Sequence, residues 1–183
     1  MKSETHTVQQ LFQDRRQYRV PFYQRAYVWR KETQWKPLWE DIINKAEFRR
    51  EGDQPPPHFL GAIVLEPQIR PGLRGVETLN IIDGQQRLNT LQYFLCALCL
   101  QLRSRSMRTL LSLVEACVWN SNPDTMEQPA VEIFKVWPSF RDRRSISNRD
   151  AGTNSCGVGC CVPGKLYARR ELPKNRNFTP LCA

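Results

Sequence analysis

The period of the hydrophobic pattern changes at one point in the chain. Apolar residues lead up to Asp83, and from Leu88 onward leucines recur every three or four residues as far as Leu102. The first pattern is typical of a strand and the second of one face of a helix. The sequence therefore predicts a strand ending at Asp83, a turn at Gly84 and a long helix over about 85–103.

The rest of the pattern predicts further elements of both kinds. A capping box at Thr7 and Gln10 indicates a brief first helix that ends near Arg15 or Arg16. The other predicted elements are an edge strand or extended segment over 18–29, a helix with an apolar face from Trp35 to Ala46, a buried strand over 59–65, a hairpin connection over 68–75, a strand over 76–82 antiparallel to the strand over 59–65, a helix from Met107 to about 120, and a β-like segment over 131–137. The fold class predicted from these elements is α+β.

Several predictions concern single side chains. Thr33 is expected to cap the helix of the tryptophan stripe, which tolerates Pro37 only in its first turn. That stripe is expected to lie in the core rather than to stack on nucleotides. Gln24 and Arg25 form a polar pair inside an aromatic stretch, so they are expected to face a cavity or a neighbouring polar group.

The pattern stops after Arg144, and the chain divides there. Residues 145–183 are predicted to be an irregular, basic, cysteine-containing tail, either a disordered arm or a truncated or out-of-frame end. The net charge is +9, but residues 141–183 carry nine Lys or Arg against three Asp or Glu. Most of the excess charge thus lies outside the predicted domain, so it is weak support for a DNA-binding face.

Composition narrows the class of protein. No apolar run reaches the roughly 18 residues of a membrane span, and the N-terminus has no signal-peptide core, so a cytoplasmic protein with no membrane partner is expected. Cys96 and Cys99 form a C-x-x-C pattern, but they lie among leucines of the predicted long helix and are expected to pack in the core. The four tail cysteines fit no zinc pattern.

The turn at 83–87 carries the candidate chemistry. A helix that begins after a glycine turn presents free backbone N–H groups, and these together with the helix dipole favour an anion. Arg87 adds a guanidinium that matches phosphate oxygens, while Gln85 and Gln86 add uncharged hydrogen-bonding groups. The plainer alternative is that Asp83 caps the helix and Arg87 pairs with a surface carboxylate.

Four stretches together carry a family resemblance. They are V-P-F-Y-Q-R-A-Y-V-W at 20–29, F-L-G-A-I-V at 59–64, I-D-G-Q-Q-R-L-N-T-L at 82–91 and F-K-V-W-P at 134–138. In this order they resemble the N-terminal domain of GmrSD-type, modification-dependent restriction enzymes, which has a ParB/sulfiredoxin-like fold. The resemblance covers about residues 7–144 and implies a small mixed sheet with flanking helices.

The resemblance also implies a function and a set of roles. It implies a nucleotide-binding, NTP-hydrolysing regulatory domain of an anti-phage restriction system acting on modified DNA, with DNA and a separate nuclease domain or subunit as partners. Gly84 and Arg87 are expected to hold phosphates, with Gln24 and Arg25 completing the nucleotide site. Asp83 is expected to coordinate Mg²⁺ or orient water. The catalytic set is completed by Gln85 and Gln86, which are expected to position the attacking water, and by Arg87.

Departures from the family pattern leave alternatives open. Asn89 stands where the motif usually has threonine, and neither of the two histidines, His6 and His58, lies in an H-N-H motif. This chain is therefore not expected to cut DNA by itself. The alternatives are a nucleotide- or DNA-binding module without hydrolysis and an inactive, truncated fragment.

Overall fold

A four-stranded mixed sheet organises the molecule in the computed structural model, which describes residues 3–69, 74–139 and 142. The strands are β1 (Arg16–Arg19), β2 (Val64–Pro67), β3 (Glu77–Asp83) and β4 (Val136–Trp137), and their order across the sheet is β2-β3-β1-β4. β1 runs parallel to both β3 and β4, whereas β2 pairs antiparallel with β3.

Within the described residues, five α-helices accompany the sheet. They are α1 (Val8–Gln13), α2 (Lys36–Arg50), α3 (Gln85–Ser104), α4 (Arg108–Val118) and the one-turn α5 (Pro129–Glu132). A π-helical turn (Lys31–Trp35) leads into α2, and a 3₁₀ turn (Pro123–Thr125) follows α4. The predicted α+β fold with a mixed sheet and flanking helices is confirmed. The predicted tail, residues 145–183, lies outside the described residues.

The elements around the predicted change of period are confirmed. β3 ends at Asp83 and α3 starts at Gln85, so only Gly84 separates them. Leu88 and Leu91 of α3 pack against Tyr18, Leu79 and other apolar residues in one buried cluster. The capping box of α1 is also present, with Thr7 and Gln10 bonding each other's backbone amides. The core thus fixes the start of α3 against the centre of the sheet.

Residues 18–29 were predicted to be an edge strand or an extended segment, and the edge strand was wrong. β1 spans only Arg16–Arg19 and lies between β3 and β4. Pro21 follows the strand, so its missing N–H removes no ladder hydrogen bond. Val20 still donates to the carbonyl of Trp137 in β4, and residues 21–30 then leave the sheet and run past the beginning of α3. The pattern misled because proline placed inside the stretch indicated an edge, whereas the strand had already ended.

The prediction that the tryptophan stripe of α2 lies in the core was also wrong. α2 has no buried residue, and Trp39, Ile42 and Ile43 are exposed by 37–50%. Trp39 stacks on Phe94 of α3, with ring centroids 6.0 Å apart. Pro37 lies in the first turn as expected, but Thr33 does not cap the helix, since its hydroxyl donates to Gln34 in the π-helical turn.

Two predicted strands are shorter than expected. β2 begins only at Val64, and Phe59, expected to be buried, is 85% exposed. Of the β-like segment 131–137, only Val136 and Trp137 are a strand, because α5 takes the first two residues. The antiparallel pairing of β2 with β3 and the helix α4 agree with the prediction, and Cys96 and Cys99 are buried as expected. Residues 70–73 of the predicted hairpin connection lie outside the described residues.

Candidate functional site

The site is built where β3 passes into α3. Gly84 precedes the helix with φ +95°, and no side chain caps the helix. Its carbonyl accepts the first hydrogen bond of α3, from the Leu88 amide at 3.0 Å. Among the residues that the structure describes, no group accepts from the amides of Gln85, Gln86 and Arg87. These amides are the donors that the sequence predicted at this turn.

Gly84 is required by the backbone and by its neighbour. A Cβ atom built at this position would lie 3.0 Å from Cγ1 and 3.2 Å from Cα of Ile63. Gly84 is buried beneath this residue. The glycine therefore permits close contact between the turn and the segment 61–63. The direction in which a side chain would leave Gly84 is occupied by Ile63, so an anion cannot approach from there. The donors available to an anion are therefore the amides of residues 85–87.

Arg87 lies over the same segment. Its guanidinium donates to the carbonyl of Ala62, and a Cβ atom at Gly61 would lie 2.8 Å from Arg87 Nε. The Nη1 atom is 3.9 Å from Asp83 Oδ2, and the side chain keeps 32% of its surface exposed. Arg87 is thus held by one backbone bond and a loose ion pair, while part of its donor fork remains accessible.

Gln85 and Gln86 are buried and bind the segment that follows β1. Gln85 Nε2 donates to the carbonyl of Arg25 at 2.8 Å. Gln86 Nε2 donates to the carbonyl of Ala26 at 3.3 Å, and its Oε1 accepts from the amide of Val28 at 3.0 Å. These bonds fasten residues 25–28 to the first turn of α3. The sequence expectation that the two amides position water is untested, and their hydrogen-bonding groups are in part already used.

Gln24 and Arg25 are brought to the turn although they lie about 60 residues away in the chain. Gln24 Nε2 donates to the carbonyl of Ile82 at 3.0 Å, which confirms a neighbouring polar group for this residue. Arg25 contributes its carbonyl to Gln85, and its side chain is exposed. Within residues 3–69, 74–139 and 142, its guanidinium has no hydrogen-bond or ion-pair partner.

A chain of hydroxyl groups lies behind the turn, and the sequence reasoning missed it. Trp35 Nε1 donates to the hydroxyl of Tyr27, which lies 2.7 Å from Thr90 Oγ1. Thr90 in turn donates to the carbonyl of Gln86 at 2.8 Å. Because the single hydroxyl hydrogen of Thr90 goes to Gln86, the Tyr27 hydroxyl is the donor to Thr90. Burial raises the pKa of Tyr27. The network fixes the entry to α2 against α3.

A cavity of about 210 Å³ adjoins Arg87 and was also missed. It lies between the start of α2 and the segment 58–60, and Arg87 and Leu91 of α3 form its inner side. Its polar members come from separate stretches, at Gln34, Asp41 and His58. No spacing in the sequence signals such a cavity, because the residues meet only through the packing of α2 beside α3.

Side chains that commonly bind metals do not cluster in the part of the chain that the structure describes. No group of three or more His, Cys, Asp or Glu residues comes together there. The carboxylate of Asp83, expected to hold Mg²⁺, is 68% exposed at the end of β3.

None of the described helices combines the length and apolarity that crossing a bilayer requires.

Comparison with known proteins identifies the family. The model of the GmrSD restriction endonuclease N-terminal domain matches residues 8–155. This range includes β3, the Gly84 turn, α3 and the segment that carries Gln24 and Arg25. No curated protein matches the chain. Because the match covers most of its length, the chain belongs to the family of GmrSD restriction endonuclease N-terminal domains.

Proposed function

We propose that this domain binds and hydrolyses a nucleoside triphosphate and thereby regulates an anti-phage restriction system that acts on modified DNA. Membership of the GmrSD family supports a place in a restriction system. One observation carries the nucleotide: the uncapped start of α3 presents free amides beside Arg87 and next to the Arg25 backbone. Such a helix terminus favours a polyphosphate through its donors and its dipole.

The roles follow from what each group has to offer. The amides of residues 85–87 and the exposed part of Arg87 bind phosphate oxygens, with Gly84 setting the turn that presents them. Arg25, whose side chain is exposed, supplies a second positive charge. Gln24 holds the end of β3, so it shapes the nucleotide site through Ile82. Phosphoryl transfer depends mainly on such positioning and neutralisation of charge.

The residues present fit a magnesium ion brought in with the nucleotide. Mg²⁺ commonly binds through one or two carboxylates together with substrate phosphates and water. Asp83 provides one exposed carboxylate beside the free amides of α3. The ion would supply charge neutralisation at the phosphates when bound. Arg87 Nη1 lies 3.9 Å from Asp83 Oδ2, and this loose ion pair keeps both side chains at the turn.

A binding module without hydrolysis is the second candidate. The side chains of Gln85 and Gln86 hold the backbone of residues 25–28. Groups committed to the backbone are less available to position attacking water, which favours nucleotide binding as a signal. In both candidates, DNA and a nuclease domain or subunit are the partners to which the nucleotide state is reported.

The test is Arg87→Ala in phosphate-release assays with GTP, ATP, CTP and UTP and Mg²⁺, with and without modified DNA. We expect turnover to fall by roughly 30- to 1,000-fold, because one charge-assisted contact contributes about 2–4 kcal/mol to transition-state stabilisation. Arg103→Ala is the matched control, since Arg103 lies at the far end of α3 and pairs with Glu115 at 2.6 Å. The control should retain wild-type turnover.

Each outcome bears on one part of the proposal. Because Arg87 also bonds Ala62, circular dichroism and thermal melting must show that Arg87→Ala remains folded, and Arg87→Lys provides a second variant that keeps the charge. Unchanged nucleotide binding and turnover in a folded Arg87→Ala protein would refute the site. Nucleotide binding that depends on Arg87 without phosphate release would favour the binding module.

A further inference from the structure

The residues that line the cavity beside Arg87 suit the binding of a flat, polar ring. Trp29, Leu38 and Leu91 contribute apolar wall, and Phe59 stands at its rim with 85% of its surface exposed. An aromatic side chain left in water beside a cavity gains apolar contact when a planar ligand covers it. At about 210 Å³, the cavity suits a ligand fragment rather than a whole drug-sized molecule.

Gln34 lines this cavity, and two hydrogen bonds hold its side-chain amide in a fixed orientation. Its Oε1 accepts from the amide of Arg30 at 2.9 Å and from the hydroxyl of Thr33 at 2.6 Å. Because both of these groups donate, the atom that they contact must be the amide oxygen. The two hydrogens of Nε2 therefore take no part in these bonds. Within the described part of the chain, Nε2 has no acceptor, although Gln34 lines the cavity.

Asp41 presents the complementary acceptor. It lies one turn along α2 from the start of the helix and lines the same cavity. His58 Nε2 is 3.8 Å from Asp41 Oδ2, a separation longer than a hydrogen bond. Both carboxylate oxygens of Asp41 can therefore accept from a ligand. A fixed donor and a two-oxygen acceptor in one aromatic-walled cavity match the edge of a nucleobase.

We propose that this cavity binds the base of the nucleotide and selects guanine, an inference that rests on the proposed nucleotide site at Arg87. Guanine alone among the common bases places two adjacent N–H donors, at N1 and N2, where one carboxylate can accept both. Its O6 lies beside them and accepts from Gln34 Nε2. Arg87 belongs both to the cavity and to the start of α3, so it joins the base seat to the phosphate site.

The experiment measures nucleotide affinity by isothermal titration calorimetry on the full chain with GTP, ITP, XTP and ATP. Inosine lacks the N2 amino group and xanthine replaces it with a carbonyl, while ribose and phosphates stay the same. The wild-type protein should bind GTP roughly ten- to a hundred-fold more tightly than the other three, the range that one bidentate side chain–base contact provides.

The variant Asp41→Asn tests the assignment by a gain of binding. Its amide can donate to the xanthine carbonyl but cannot accept both guanine donors, so the preference should change from GTP to XTP. Glu40→Gln is the matched control: Glu40 is the preceding, exposed residue of α2 and lies 3.9 Å from Lys36. It should keep the wild-type order of affinities.

The outcomes separate this inference from the function on which it rests. Equal affinity of the wild-type protein for all four nucleotides, or an unchanged order in Asp41→Asn, overturns the guanine seat. If binding in that case still depends on Arg87, the phosphate site stands without it. Failure of the wild-type protein to bind these four nucleotides, and CTP and UTP as well, overturns both proposals.

Discussion

Two glycines of this chain have nearly the same φ angle but different surroundings. Gly52 has φ +93° and Gly84 has φ +95°, which L-residues rarely adopt. A Cβ atom at Gly52 would meet nothing within 4 Å, whereas one at Gly84 would approach Ile63 to 3.0 Å. The pair therefore separates the cost of the dihedral angle from the cost of crowding.

We expect Gly52→Ala to lower the free energy of unfolding by about 1–2 kcal/mol, the cost of placing Cβ in the left-handed region. Gly84→Ala should cost about 2–4 kcal/mol, because displacement of Ile63 adds an overpacking term. Urea denaturation monitored by tryptophan fluorescence measures both. Equal losses in the two variants would show that Ile63 yields without cost and that the contact does not require glycine.

For single residues, the sequence predicted which side chains lie at the site better than it predicted the contacts that they make. The turn at Gly84 was expected because a glycine between strand and helix patterns has few other uses. Gln85 and Gln86 were expected to position attacking water, and in the structure their side chains bind the backbone of residues 25–28. Long-range partners of this kind have no local signal, since an amide can bond to either class of group.

The segment 25–28 depends on α3 for its position, because two glutamines of the helix bind its backbone. In Gln86→Ala the amide of Val28 and the carbonyl of Ala26 lose their partners. We expect amide exchange at Val28 to accelerate roughly tenfold or more, because two lost hydrogen bonds cost about 1–3 kcal/mol of local stability. Hydrogen–deuterium exchange followed by NMR provides the measurement.

The matched control is Gln101→Ala, near the exposed end of α3. It should leave exchange at Val28 unchanged. If Gln86→Ala also left the exchange unchanged, the segment would be held by its other contacts. Those contacts include the Asp142 carboxylate, whose two oxygens each lie 3.2 Å from the Tyr27 amide.

Among the elements, those with one dominant period were predicted and those defined by distant partners were not. α3 carries leucines at helical spacing and is bounded by Gly84 and Arg105, so its bounds were nearly right. The apolar spacing of α2 equally predicts a helix, but periodicity does not say whether another element covers that face. β1 could not be placed at the centre of the sheet, because strand order depends on pairings with β3 and β4.

The stability of the whole molecule should depend on pH through one buried amine. Lys135 is 2% exposed and donates to the carbonyl of Asp14, and burial lowers its pKa from 10.5 to about 8. Between these values the unfolded chain binds more protons than the folded one. The free energy of unfolding therefore rises with pH across about 8 to 10.5, and below 8 this group contributes no slope.

The measurement compares the wild-type protein with Lys135→Met by urea denaturation at several pH values from 7 to about 10.5. The difference between the two should shift by up to about 3 kcal/mol in favour of the wild-type protein as pH rises. Tyr18, whose pKa burial raises to about 12, is present in both proteins, so its contribution cancels. Lys36→Met, an exposed change, should show no such shift; a constant difference for Lys135→Met would contradict the assignment.

The order of strands in the sheet has a consequence for how the chain acquires its structure. β1, near the N-terminus, lies between β3 and β4, which follow it by about 60 and 120 residues. Closing such long loops before any pairing is gained slows folding. During synthesis β1 therefore remains unpaired at first. One of its edges has no hydrogen-bonding partner until β3 emerges from the ribosome, and the other has none until β4 emerges.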